Sequence, residues 1–112
     1  MSDIAALRGA FNKNDRGVVC LDWRPCERGT LRGFAKVKVP SWHLTIDGLS
    51  IHESHGKRWA QLPSGPLLND ERELVREQDG KIRYAKILSF DDRDVSDRFS
   101  IAVVRAVEEF TR

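Results

Sequence analysis

The chain has 112 residues, of which 40% are hydrophobic and 32% charged, a composition typical of one soluble globular domain. A domain of this length buries roughly two-thirds of its unfolded surface in a thin core, which argues against a large enclosed active site. The net charge of +2 conceals an uneven distribution, because residues 1–60 carry ten Lys or Arg against six Asp or Glu, whereas residues 61–112 carry nine against eleven.

The N-terminal residues 1–16 are predicted to be a flexible arm, with a brief helix over residues 4–11 as the alternative, and residues 17–112 a single domain. The first fifteen residues lack the apolar stretch and cleavage site of a signal peptide. No apolar run approaches the roughly 18 residues of a membrane span. We therefore expect a cytoplasmic protein in which Cys20 and Cys26 are reduced, semi-buried residues.

The first strands are predicted from alternation of apolar and polar residues. Residues 18–24 alternate, with Val19, Leu21 and Trp23 on one face, and Pro25 ends the strand. Residues 30–39 read TLRGFAKVKV, and successive side chains of a strand point to opposite faces. The core face of this second strand is predicted to hold Leu31, Gly33, Ala35, Val37 and Val39. The opposite face is predicted to hold Arg32, Phe34, Lys36 and Lys38.

The remaining strands are separated by turn residues. A third strand region spans residues 42–53, and its apolar parity flips at Asp47-Gly48, which favours a bulge over two short strands joined by a tight turn. A fourth strand covers residues 58–62. Residues 67–80 are compatible with a short helix, but Asp79-Gly80 favours a protruding loop or extended hairpin. This segment returns through a fifth strand over residues 81–90.

A C-terminal helix is predicted from apolar residues that recur at spacings of three and four, and Asp92 and Asp94 suit its N-terminus. Its apolar stripe comprises Val95, Phe99, Ala102, Val103, Ala106, Val107 and Phe110. The expected fold class is α+β: an antiparallel meander of about five strands with this helix packed on one face.

The spacings of reactive residues do not indicate catalysis or metal binding. His52 and His55 are three apart at a strand end, where they would point in opposite directions, whereas the helical zinc motif requires four. Ser64 lacks a nucleophile-elbow motif, and the glycines are too dispersed for a phosphate loop. We expect no enzyme, no metal, no cofactor and no small-molecule substrate; catalysis by the two histidines would require them to converge with Glu53 or a cysteine.

The basic face of the second strand is the strongest functional candidate. A row of cations can displace the counterions of nucleic acid, and an aromatic ring among them can stack on an unpaired base. The predicted nucleic-acid-binding residues are Arg24, Arg32, Phe34, Lys36, Lys38, Lys57, Arg58, Trp59, Arg83 and Tyr84. The alternatives are a solvated edge strand and a face on which Phe34 contacts a partner subunit.

Oligomerisation is predicted from the aromatic content. Three Trp, five Phe and one Tyr are many large rings for a sheet covered by one helix. A homodimer would bury some of them and would double the basic patch. The rival hypothesis is a protein–protein interaction module or accessory subunit that binds no nucleic acid.

The order of several short motifs resembles the SpoVG family of small bacterial nucleic-acid-binding regulators. The resemblance covers residues 29–110 and rests on the stretches TLRGFA (30–35), LTI (44–46), GKRW (56–59), LPS (62–64) and ILSF (87–90), followed by the closing helix. It implies a dimeric protein that binds DNA or RNA with little sequence preference. Binding in that family is associated with the closing helix, where Arg93, Arg98 and Arg105 would be the matching residues, in an acidic setting. The segment over residues 17–28 departs from the family pattern.

Overall fold

The computed structural model describes residues 17–112, so the predicted arm over residues 1–16 and its alternative helix lie outside the described residues. Four antiparallel strands form one meander in the order β1-β2-β3-β4, and a C-terminal helix, α1, packs on one face of it. The predicted α+β class is therefore confirmed. The elements of this layer pair are β1 (Val19–Arg28), β2 (Leu31–Val39), β3 (Leu44–Ser54), β4 (Lys57–Gln61) and α1 (Arg93–Phe110).

The fifth strand differs from the prediction in length and position. Within the predicted range of residues 81–90, only Tyr84–Lys86 (β6) forms a strand. It pairs with Ser64–Pro66 (β5) in a separate two-stranded sheet. These short strands form the stem of a projection, over residues 64–86, which leaves the meander after β4 and which we call the arm from here on. The meander therefore ends at β4, since the chain turns away at Pro63 instead of adding another strand.

The arm has two tips that meet at a cyclic junction of backbone hydrogen bonds. Leu67 N–H donates to Arg83 O, Arg83 N–H to Val75 O, and Val75 N–H to Leu67 O, at 2.7–2.9 Å. One tip turns at residues 69–73 and the other at residues 77–81, where Gly80 has a φ of +87°. The predicted hairpin over residues 67–80 is thus confirmed, but it is branched.

The core face of β2 follows the predicted alternation from Gly33 onward, whereas Leu31, also predicted there, lies opposite His52 on the other face of the sheet. Gly33, Ala35, Val37 and Val39 are buried. Small and β-branched side chains suit a pleated surface that is buried on one side. The core is a single layer between the sheet and the helix.

A bulge in β1 overturns the predicted grouping of Val19, Leu21 and Trp23. Cys20 lies opposite Val37 and Asp22 opposite Lys36, so β1 contains one extra residue at Leu21. Trp23, opposite Ala35, then packs against the core. Val19 and Leu21 remain exposed on the other side.

The bulge preferred for the third strand region is confirmed. β3 is continuous, and its register against β2 shifts between Ile46 and Leu49, where Gly48 has a φ of +81°. Glycine adopts this left-handed conformation without steric cost. The shift allows Ile46 and Leu49, which have opposite parity, both to be buried.

The predicted helix and its N-cap are confirmed. Asp92 Oδ1 accepts a hydrogen bond from Val95 N at 2.9 Å, which satisfies one donor of the first turn. The stripe is buried at Val95, Phe99, Val103, Ala106 and Val107. Phe110, predicted in the stripe, is exposed because it lies in the last turn of the helix.

Replacement of Gly33 by Ala is expected to destabilise the fold by about 1–3 kcal/mol through overpacking. A Cβ atom there would lie 2.6 Å from Arg24 O and 2.6 Å from the Trp23 ring. The free energy of unfolding in urea measures this loss. Gly65→Ala is the matched control, because its nearest neighbour is the flexible end of Ile87 at 3.4 Å. Equal stabilities of the two variants would contradict the close approach at Gly33.

Candidate nucleic-acid interface

The face of the meander opposite α1 is not covered by any described element, and we call it the open face. Residues directly opposite each other in antiparallel strands share a face, so the strand register defines its rows. The rows contain Arg28, Leu31, His52 and Trp59; then Arg24, Phe34, Ser50 and Gln61; then Asp22 and Lys36; then Val19, Lys38 and Thr45.

Three of the four β2 residues that were predicted to share one face lie together on the open face. Phe34 lies opposite Arg24 on one side and Ser50 on the other, and its ring is 40% exposed. Lys36 and Lys38 follow at two-residue intervals, roughly 7 Å apart along the strand. One aromatic ring and two ammonium groups therefore form a line on the open face.

Arg32 does not belong to this line, contrary to the prediction. A register shift between Leu31 and Gly33 interrupts the alternation at Arg32. Its side chain lines a cavity of about 160 Å³ together with Trp23 and Val107, which places it on the helix side. Arg32 Nη1 donates to Gly29 O at 2.9 Å and to Leu31 O at 3.1 Å.

Arg58 is also on the helix side, since it lines the same cavity and lies opposite Glu53 in the β3–β4 register. Its Nε donates to Glu53 Oε1. This hydrogen bond and the charge of Arg58, with a smaller contribution from Arg32, lower the pKa of Glu53. Strand alternation, applied to β4, puts Arg58 and Trp59 on opposite faces, so the predicted grouping of the two is wrong.

Trp59 brings a second ring to the open face. It lies opposite His52, and the two rings stack with centroids 5.6 Å apart and planes 12° apart. Ser50, two residues before His52 on β3, lies directly opposite Phe34 on β2. His52 is therefore a diagonal cross-strand neighbour of Phe34, at about 7–8 Å between backbones. Lys57 precedes Trp59 by two residues and shares its face.

Arg24 is held by a carboxylate of its own strand. Its Nε lies 3.3 Å from Asp22 Oδ2, and both residues are on the open face. The pair is solvent-exposed, and such pairs contribute little energy, so an anion can compete for the guanidinium.

Arg83 and Tyr84 are not brought to the open face. Both lie on the arm, Arg83 in the cyclic junction and Tyr84 in β6, where its side chain is 65% exposed. The sequence prediction assumed that a fifth strand would continue the meander. The separate sheet removes the geometric basis for including these two residues in one patch.

Two residues of this face, Arg28 and His52, were not among the predicted contact residues. His52 Nδ1 is 3.0 Å from Thr30 Oγ1, and Nε2 is 3.0 Å from Ser50 Oγ. Burial lowers the pKa of this imidazole. The alternation SIHES, with His52 two residues after Ser50, could have indicated its face once β3 was known to extend to Ser54.

The groups considered for catalysis or metal binding do not converge. His52 faces the open side, Glu53 the helix side, and His55 lies in the β3–β4 turn with a φ of 52°. Within residues 17–112, no three His, Cys, Asp or Glu side chains are grouped to hold a metal ion.

The two cysteines differ from each other in environment. Cys20 is buried, whereas Cys26 is exposed, so the prediction of two semi-buried residues is wrong. The pKa of the Cys20 thiol is raised, and burial is the largest cause of this shift.

A separate open cleft of about 440 Å³ lies between the end of β4, the stem of the arm and α1. Leu62, Leu88 and Phe99 contribute apolar walls, and Tyr84 and Lys86 are the ionisable side chains in its lining. Its walls therefore combine apolar surface with one phenol and one ammonium group.

Comparisons with protein-family models, with curated proteins and with solved structures returned no match to this chain. Along residues 17–112, the structure contains no helix with the length and apolar character needed to cross a membrane.

Proposed function

We propose that this protein binds single-stranded or structured DNA or RNA across the open face, with little sequence preference and without catalysis. The observation that carries the proposal is an exposed phenylalanine and a stacked Trp–His pair placed among cations on an uncovered four-stranded sheet. Bases that are free of a duplex can stack on such rings, and stacking tolerates any base because every base has a π-face.

The cations of this face are placed to contact phosphates. Lys36 and Lys38 lie beside Phe34 on β2, Arg24 lies opposite Phe34, and Lys57 lies beside Trp59 on β4. Their ammonium and guanidinium groups would displace counterions along the strand of nucleic acid. The proposed contact residues are thus Arg24, Phe34, Lys36, Lys38, Lys57 and Trp59, without Arg32, Arg58, Arg83 and Tyr84.

The proposal includes a homodimer with a regulatory role, as the SpoVG-like motif order implies, and a cytoplasmic location, as expected from the N-terminal sequence. Support for a partner subunit comes from the exposed Val19 and Leu21 at the outer strand of the sheet. The same two side chains favour the alternative function, a protein-docking module in which Phe34 contacts a protein partner. Binding of an oligonucleotide decides between the two.

The salt dependence of oligothymidine binding tests the proposal. For single strands, the slope of log K against log salt is about −0.7 per contacted phosphate, so Lys36→Ala/Lys38→Ala is expected to make the slope shallower by about 1.4. Fluorescence anisotropy at several salt concentrations measures both affinity and slope.

Arg32→Ala is the matched control, because it removes a cation of the same strand that lies on the helix side. Its slope is expected to equal that of the unmodified protein. No binding at low salt, or equal slopes for the double-lysine variant and the unmodified protein, would refute nucleic-acid binding by this face.

A further inference from the structure

His52 lies on the proposed binding face opposite Trp59, and both of its ring nitrogens have hydroxyl partners. Thr30 and Ser50 provide the two hydroxyl partners at 3.0 Å each, and the imidazole stacks on Trp59. A neutral imidazole donates through one nitrogen and accepts through the other, whereas an imidazolium donates through both. Both hydroxyl oxygens can accept, so a proton can be added if the hydroxyl hydrogens rotate.

The charges around His52 on this face are cationic. Arg28 pairs with Leu31 in the same cross-strand row, Arg24 belongs to the next row, and Lys57 is a neighbour on β4. The adjacent carboxylate, Glu53, faces the helix side and is bonded to Arg58. Asp22 lies two rows away and is paired with Arg24.

We infer that His52 is a proton-linked contact residue of the open face, which becomes more protonated when a nucleic-acid strand binds there. This inference rests on the proposed function. The bound phosphates supply the negative charge that the surrounding protein does not place beside the imidazole. The imidazolium formed in the complex is also stabilised by its position over the Trp59 ring.

The direction of the pH effect follows from linkage. Burial lowers the pKa of His52 in the free protein. A nearby phosphate favours the charged form and raises the pKa in the complex. Affinity therefore increases as pH falls through the range between these two pKa values, and it is constant outside that range.

The experiment is the affinity for oligothymidine at about pH 5.5 and about pH 8, the range in which histidine titrates. Thymine does not titrate there, so the oligonucleotide contributes no proton of its own. We expect roughly tenfold tighter binding at the lower pH, which corresponds to a pKa difference of about one unit between free and bound protein. His52→Gln is expected to bind weakly at both pH values, and His52→Arg, permanently charged, tightly at both.

His43→Asn and His55→Asn are the matched controls, because asparagine suits their positive φ values of 51° and 52°. Both are expected to retain the pH dependence, and thermal unfolding of each variant verifies folding. Binding that is equally tight at both pH values, or that keeps its pH dependence in His52→Gln, overturns the inference and leaves the proposed function intact. No binding at either pH overturns both.

Discussion

Phe34→Ala is expected to weaken oligothymidine binding roughly 5- to 150-fold, since a base stacked on an aromatic ring contributes about 1–3 kcal/mol. The Phe34 ring lies between Arg24 and Ser50 in the sheet, and none of the described elements packs over it. Trp59→Leu is expected to cause a loss of similar size, because leucine keeps apolar volume but offers no π-face. Equilibrium titration by anisotropy at one fixed salt concentration measures both.

Two exposed rings outside the open face serve as controls for these substitutions. Phe110 is 48% exposed in the last turn of α1, and Tyr84 lies on the arm. Phe110→Ala and Tyr84→Ala are expected to bind as the unmodified protein does. A loss at Tyr84 equal to that at Phe34 would mean that the nucleic acid follows the arm, contrary to the proposed path.

Leu49→Ala is expected to destabilise the protein by about 2–5 kcal/mol, the usual cost of removing a buried leucine side chain. Leu49 is 0% exposed and belongs to the single layer between the sheet and α1. A thin core has few neighbouring residues that can move into the resulting cavity. The free energy of unfolding in urea gives the magnitude.

Leu44 is the matched control on the same strand, with 38% of its surface exposed. Leu44→Ala removes the same atoms, but the surface that it loses is already partly hydrated, so we expect a loss of about 1 kcal/mol or less. Equal losses at the two positions would contradict the difference in burial between Leu49 and Leu44.

The parts of the fold that could be predicted depend on regular periodicity. The alternation in β2 identified its core residues, and the three- and four-residue spacing identified α1 with Asp92 at its N-terminus. Such patterns are readable because each side chain's direction follows from the residue number alone. The bulge at Gly48 was predictable for a different reason, since a change of apolar parity beside a glycine is typical of a bulge.

The errors arose where regular periodicity ends. The register shift beside Leu21 has no glycine next to it, and the shift beside Arg32 borders Gly33 but shows no change in apolar parity between Leu31 and Ala35. Each shift depends on how two strands pair, which involves residues distant in sequence. One shift placed Trp23 against the core, and the other placed Arg32 on the helix side, away from Phe34.

The candidate site also contains residues whose placement was predictable from sequence and residues whose placement was not. Phe34, Lys36 and Lys38 share a face by alternation alone, so the line of one ring and two cations was predictable. The stack of His52 on Trp59 was not, because it requires the β3–β4 register. The arm also depended on tertiary structure, since its cyclic junction joins Leu67, Val75 and Arg83 across two turns.

Sequence alone indicates a small α+β domain with a basic line on β2, which the small net charge of +2 conceals. Local periodicity is sufficient for these properties, because they concern residues within one element. Which cations lie with the rings depends on the fold as a whole, since bulges and cross-strand register set the direction of each side chain. By that register Arg32 and Arg58 lie on the helix side, while His52 and Trp59 lie on the open face.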